Sequence, residues 1–369
     1  MKTIGLFLCG DVMTGRGIDQ ILANPCDPAI HEGYLESAVD YVLLAEFVNG
    51  PIPRRVPPPY IWGDALAELE RARPELRIIN LETAVTASDV WVPKGINYRM
   101  HPANIACLSA AAIDCCVLAN NHVLDWSDAG LIETLETLER SGVRTAGAGR
   151  DRSAAEAPAV LPVPGKGRVL VFAAGMASSG VPPDWAAGAG RPGVAFLPDL
   201  SPRSVSEIAR NVAAAKQPGD VVLFSIHWGA NWGYEVEDDE RAFARALIDT
   251  AGVDLVHGHS SHHPKGIEVH RERLILYGCG DFINDYEGIR GHEAFRGDLG
   301  LMYLPTLEAG TGRLARLALT PTQMKRFQVR RAADTDARWL TRMLEREGRR
   351  FGTRPRLLPD GRIELQWEA

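Results

Sequence analysis

Five short apolar runs in this 369-residue chain each lead into a cluster of polar residues with metal-liganding side chains. The clusters are Gly10-Asp11-Val12-Met13, Asn80-Leu81-Glu82, Ala119-Asn120-Asn121-His122 with Asp125, His227-Trp228-Gly229, and Gly258-His259-Ser260-Ser261-His262-His263-Pro264. The preceding runs, Ile4–Cys9, Arg77–Ile79, Ile113–Leu118, Val221–Ile226 and Val253–Val256, read as buried strands. Strand ends that bring Asp, Glu, Asn and His to one rim make a metal site, because those side chains carry the ligand atoms of a divalent ion. Ligands at strand carboxyl ends are the usual geometry of open α/β sheets.

The segments between the runs fit that frame. Ala65–Arg73, Ala129–Arg140, Ser201–Ala215 and Asp238–Thr250 read as helices, and Val169–Ala174 as a further strand. Asp128 is the expected N-cap of Ala129–Arg140, and Gly142 its stop. Residues 24–60 read as an irregular insertion, since Pro51-Ile52-Pro53 and Pro57-Pro58-Pro59 oppose regular helix. Gly175–Gly193, rich in Gly, Pro and Ala, reads as a mobile loop. Beyond the last cluster, Gly266–His270, Leu274–Tyr277, Leu299–Leu304 and Leu314–Leu319 are strands without intervening helices, which suggests antiparallel pairing. The expected class is an α/β sandwich. Residues 1–325 form its main domain, and 326–369 a helical and strand extension packed on the core, with an amphipathic helix over Asp334–Arg350.

Composition narrows the function. The net charge is −7 and no Lys/Arg block stands out, which argues against binding nucleic acid or an anionic membrane. Six cysteines without a CxxC pair read as buried thiols in a reducing compartment. The first apolar run is too short for a secretory signal, and no stretch is long enough to span a bilayer, so the expected location is cytoplasmic. The residues specify no oligomeric state.

The order of the clusters resembles the CapA, or poly-γ-glutamate capsule-synthesis, branch of the calcineurin-like metallophosphatase fold. The resemblance runs from about Gly10 to about Tyr286, and is most specific at Ala119–Asp125 and Val253–Phe282. It implies two β-sheets flanked by helices. It implies Asp11, Glu82, Asn121, His227 and His259 as metal ligands, His122 as an acid/base residue, and His262 as the last histidine of a Gly-His-x-x-His segment. Three departures stand out. Met13 occupies the position of the parent fold's second histidine, Ser260-Ser261 replace a usual His-Pro, and Asp281 stands where asparagine is common. A thioether is a poor partner for a hard ion.

An acid/base histidine needs a carboxylate partner to fix its tautomer. Asp125, Asp281 and Asp285 are available to His122, His262 and His263. Trp126, Trp228 and Trp232 offer an apolar wall for a peptide side chain, and Lys94, Arg99, Lys265 and Arg290 are candidate clamps for a substrate carboxylate. The donor set leans toward Ca²⁺, Mg²⁺ or Mn²⁺, with Zn²⁺ or Fe compatible with the histidines. Three functions compete. Metal-dependent Cα epimerisation of a ribosomal peptide, such as a lasso-peptide precursor, ranks first, on the expected location, the surplus of His and Asp, and precedent among CapA-like proteins. Handling or hydrolysis of poly-γ-glutamate and phosphoester hydrolysis are the alternatives.

Overall fold

The computed structural model describes residues 2–368. Two sheets form the body. The larger has ten strands. Its central strand, Thr3–Val12, runs parallel to Leu76–Leu81, which is followed outward by Cys115–Val117 and Arg144–Ala146, also parallel. On the other side Leu299–Glu308 and Leu314–Lys325 pair antiparallel, and the C-terminal strands Ile363–Trp367 and Thr353–Leu357 form the edge. The second sheet has six strands, ordered Ile267–His270, Arg273–Leu276, Leu255–His259, Val221–His227, Gly167–Gly175 and Ala159–Val163. Its four inner strands are parallel.

Alternation along the second sheet decides which side chain meets which layer. Val169 and Val171 point into the core shared with the first sheet, while Leu170 and Phe172 join a second core under two helices. Those helices are Pro202–Ala215 and Asp238–Thr250, which supply Val205, Ile208, Val212, Phe243 and Leu247. Each such side chain stabilises the fold by about 1.5–3 kcal/mol when fully buried. The second helix starts in a capping box, where Glu237 and Glu240 each accept the other's backbone N–H.

The structure corrects three expectations. The insertion is not wholly irregular, because Ala38–Asn49 is a helix whose first turn is capped by Ser37 Oγ, with Gly50 at its end. No Pro or Gly falls inside those twelve residues, so the prolines farther along do not break it. The helix expected from Ala129 spans Ser127–Arg140, and Asp128 lies in its first turn rather than at the cap. The third is a missed strand. Asp281–Ile283 pairs parallel with Thr3–Val12, amid strands expected to be antiparallel.

Gly175–Gly193 is pinned by Val181 and Trp185, both buried. Within residues 326–369 lie the helix Asp334–Gly348 and three strands of the larger sheet.

Candidate metal centre

The carboxyl ends of the two parallel strand sets face each other, and register decides what meets there. In the first sheet Asp11 stands opposite Asn80 on one side and Asp281 on the other. In the second His227 stands opposite His259. The sheets are tied behind this rim by His257, whose Nε2 donates to the Cys9 carbonyl at 2.8 Å. Within the first sheet Gly10 permits the close approach of the segment leading into Asp281, since a Cβ there would lie 1.6 Å from the Gly280 carbonyl oxygen.

Two groups of donor atoms result, and they share Asp11. One is Asp11, His227 and His259; the other is Asp11, His262 and Asp281. Within each group one ligand atom per residue lies within 4.8 Å of the others. His227 Nδ1 and His259 Nδ1 are 2.7 Å apart, and His227 Nε2 is 3.0 Å from Asn121 Oδ1. Glu82 Oε1 lies 3.8 Å from both His227 Nε2 and His122 Nε2. Asn80 Nδ2 donates to Asp11 at 2.7 Å and to Glu82 at 3.1 Å, holding the two carboxylates in place.

The electrostatics of this set call for a cation. Asp11, Glu82 and Asp281 are all buried. Burial, then the neighbouring Asp281, pushes Asp11 up to about 7. Glu82 is raised well above the usual range by burial and then by Asp11 and Asp281. Burial holds His227 and His259 well below the ordinary imidazole value, so both are neutral and free to donate lone pairs. Buried anions without a counter-ion are costly, and neutral imidazoles with carboxylate and amide oxygens are the ligands of a divalent ion. The residues present therefore fit the metal that the fold implies.

Two histidines of the centre carry an aspartate partner on Nδ1. His122 Nδ1 lies 2.7 Å from Asp125 Oδ2, while its Nε2 faces Glu82. This arrangement leaves Nδ1 protonated and Nε2 as the acceptor. Burial, with Lys94 adding to it, outweighs Asp125 and lowers His122 to about 4. His262 Nδ1 lies 2.9 Å from Asp281 Oδ1. Burial opposes charge on His262, but the adjacent Asp281 outweighs it and the pKa is raised.

Other expected roles do not fit. His263 is fully buried; its Nε2 accepts from Gly233 N at 3.1 Å, and no Asp pairs with it. Trp228 is a core residue whose Nε1 donates to the Tyr277 carbonyl, and Trp126 is covered by Arg99. Lys265 is buried and donates to the Glu235 carbonyl, which removes it as a clamp. Trp232 stands apart from these, since its ring packs on His262 and borders a cavity. Asp285 is held by Arg16 rather than by a histidine. Lys94 pairs with Asp125 at 2.7 Å instead of awaiting a substrate. Met13 Sδ lies 3.6 Å from Tyr286 Oη, from which it accepts.

Two residues lacked an assigned role in the sequence and gain one here. Asn120 Oδ1 accepts from the backbone N–H groups of His122 and Val123 at 3.1 Å each, fixing the turn that aims His122. Asn80 links Asp11 to Glu82. Their signal was position alone, at the ends of predicted strands.

Two sheets facing each other, with buried carboxylates and neutral imidazoles at the shared rim, define a metallophosphatase-like α/β sandwich. The chain belongs to the bacterial capsule synthesis protein family PGA_cap, whose model matches residues 5–286. It is 46% identical over 364 residues to a probable polyglutamine synthesis accessory protein of Mycobacterium tuberculosis, covering 98% of this chain and 96% of that one. It is 27% identical over 195 residues to the PGA biosynthesis protein CapA of Bacillus subtilis, covering 53% and 47%. A capsule biosynthesis protein CapA of Bacillus anthracis is 24% identical over 196 residues, covering 52% and 45%. Among the described residues, no helix is long and apolar enough to cross a membrane.

Proposed function

We propose that this protein is a divalent-metal-dependent hydrolase of the capsule-polymer type, cutting an amide link of a glutamate polymer. The relatives' names favour this polymer reading over peptide epimerisation, which the residues alone ranked first. The observation that carries it is the pair of buried donor groups meeting at Asp11. Bound there, the ion would polarise the scissile carbonyl and lower the pKa of water. The mixed imidazole and carboxylate donors admit Mn²⁺, Fe²⁺ or Zn²⁺.

The chain's own residues supply the rest. His122 takes or returns a proton at Nε2, while Asp125 holds its Nδ1–H and Lys94 holds Asp125. His262, oriented by Asp281 through Nδ1, would present Nε2 as a ligand at the second donor group. Asn80 and Asn120 keep Asp11, Glu82 and His122 from reorienting.

The test is incubation of γ-linked pentaglutamate with the Mn²⁺-loaded protein, with and without chelator, read by intact mass in D₂O. Shortened products that vanish with chelator are expected. An uncut peptide one mass unit heavier would instead support epimerisation, which the two His–Asp pairs also suit. Intact, unlabelled pentaglutamate under every condition would refute the hydrolase reading.

A further inference from the structure

A cavity of about 390 Å³ opens beside the His262 end of the centre. That is the size of a small-ligand pocket. Three of its lining residues belong equally to the site. Asn284 donates to Asp281 Oδ2 at 2.9 Å, and Trp232 and Tyr286 pack their rings on His262 at centroid distances of 5.3 and 5.4 Å. Val48, Ile289 and Met324 add apolar wall, and His292 stacks on Trp232 at 4.0 Å.

The charges around this cavity are unequal in availability. Asp298 accepts from Arg296 and from Gln323 Nε2, and Arg296 also binds Asp336. Glu287 accepts from the backbone N–H groups of Arg326 and Phe327 at 2.8 and 2.7 Å, and from Asn49. Glu293 accepts from Gly291 N at 3.1 Å. Asp298 and Glu287 are thus occupied within the protein, while Glu293 is exposed, keeps one carboxylate oxygen free and lies near enough to Arg290 to feel its charge. Among the described residues, the side chains of Arg290 and Lys325 form no hydrogen bond or ion pair, and both line the same cavity.

We propose that this cavity binds the free carboxylates of an oligoglutamate chain next to the metal centre, with Arg290 and Lys325 as its anion contacts. The inference rests on the polymer reading above, and it favours a polyglutamate over the polyglutamine that one relative's name prints. A polyglutamine chain is neutral and gains nothing from two unpaired cations, whereas a polyglutamate chain carries one carboxylate per residue. The methylenes between those carboxylates lie against Trp232, Val48 and Ile289. The chain's overall charge of −7 repels a polyanion, so binding depends on these local cations and not on a long-range field.

The test is calorimetric titration of the Mn²⁺-loaded full chain with γ-linked tetraglutamate and with tetraglutamine, at low and physiological salt. Tetraglutamate is expected to bind at least tenfold more tightly than tetraglutamine, and to weaken as salt rises. The double variant Arg290→Gln/Lys325→Gln should lose tenfold or more in tetraglutamate affinity, with metal content and Tm unchanged. Equal binding of tetraglutamate by the variant and the natural chain would overturn the cavity assignment and leave the polymer reading standing. Equal affinity for the two oligomers would overturn the choice of polymer. Failure of the natural chain to bind either oligomer would overturn both.

Discussion

Asp11 is the residue that the two donor groups of the centre share. It is buried and held by Asn80, and among the described residues the Asn80 amide and the Ser260 backbone N–H donate to it. Its neighbour His122 works through a different device, a ring fixed on one side by Asp125 and open on the other. Removing the ring should therefore affect chemistry and spare the metal. His122→Asn is expected to lower polymer cleavage by about 10²–10⁴-fold, the usual size of a general acid/base contribution. Metal content, measured by elemental analysis, should stay at the level of the natural chain; loss of metal in His122→Asn would make His122 a ligand instead. At this scale the residues at the strand ends were legible in the sequence, because ligand atoms cluster after apolar runs. The fate of Trp228, Lys265 and His263 was not, since a side chain's burial depends on what packs over it from elsewhere in the chain.

Among the elements, the short strand Asp281–Ile283 has the largest consequence for its size. It lies parallel to Thr3–Val12 and places Asp281 level with Asp11. The approach depends on Gly10, because any Cβ there meets the Gly280 carbonyl. Gly280 itself has φ +76, a left-handed conformation that favours glycine. Gly10→Ala should destabilise the protein by at least about 2 kcal/mol through overpacking, and should lower the affinity of the centre for Mn²⁺. Gly33→Ala, which meets nothing within 4 Å and lies outside the left-handed region, is the control and should melt as the natural chain does. Urea denaturation of both variants checks this, and an unchanged midpoint for Gly10→Ala would show that the two strands can separate without cost. No sequence pattern announced this strand. Three residues are too few for a period, and the pairing is with a segment some 270 positions away.

In the whole molecule, the centre is a stability element that depends on pH and metal together. Burial and Asp281 raise Asp11 to about 7 in the folded state, from an ordinary value near 4 in the unfolded chain. The folded state therefore holds that proton more tightly. The stabilisation is complete below the unfolded value and is lost as pH rises through about 7. A divalent ion takes the proton's place and should restore what is lost. Mn²⁺ at a hundred times its dissociation constant should raise Tm on the order of 5 °C at pH 8, and by clearly less at pH 5. A scan showing an equal or larger gain at pH 5 would contradict the coupling. The sequence by itself determined the class of the fold and most donor residues of the centre, because hydrophobic runs fix strands locally and ligand chemistry is written in residue type. Tertiary structure alone decided that Asp281 faces Asp11, that Lys94 serves Asp125, and that Arg290 and Lys325 remain unpaired around one cavity. Those outcomes depend on the register between distant strands and on which charges find partners, and neither is a property of any local stretch of chain.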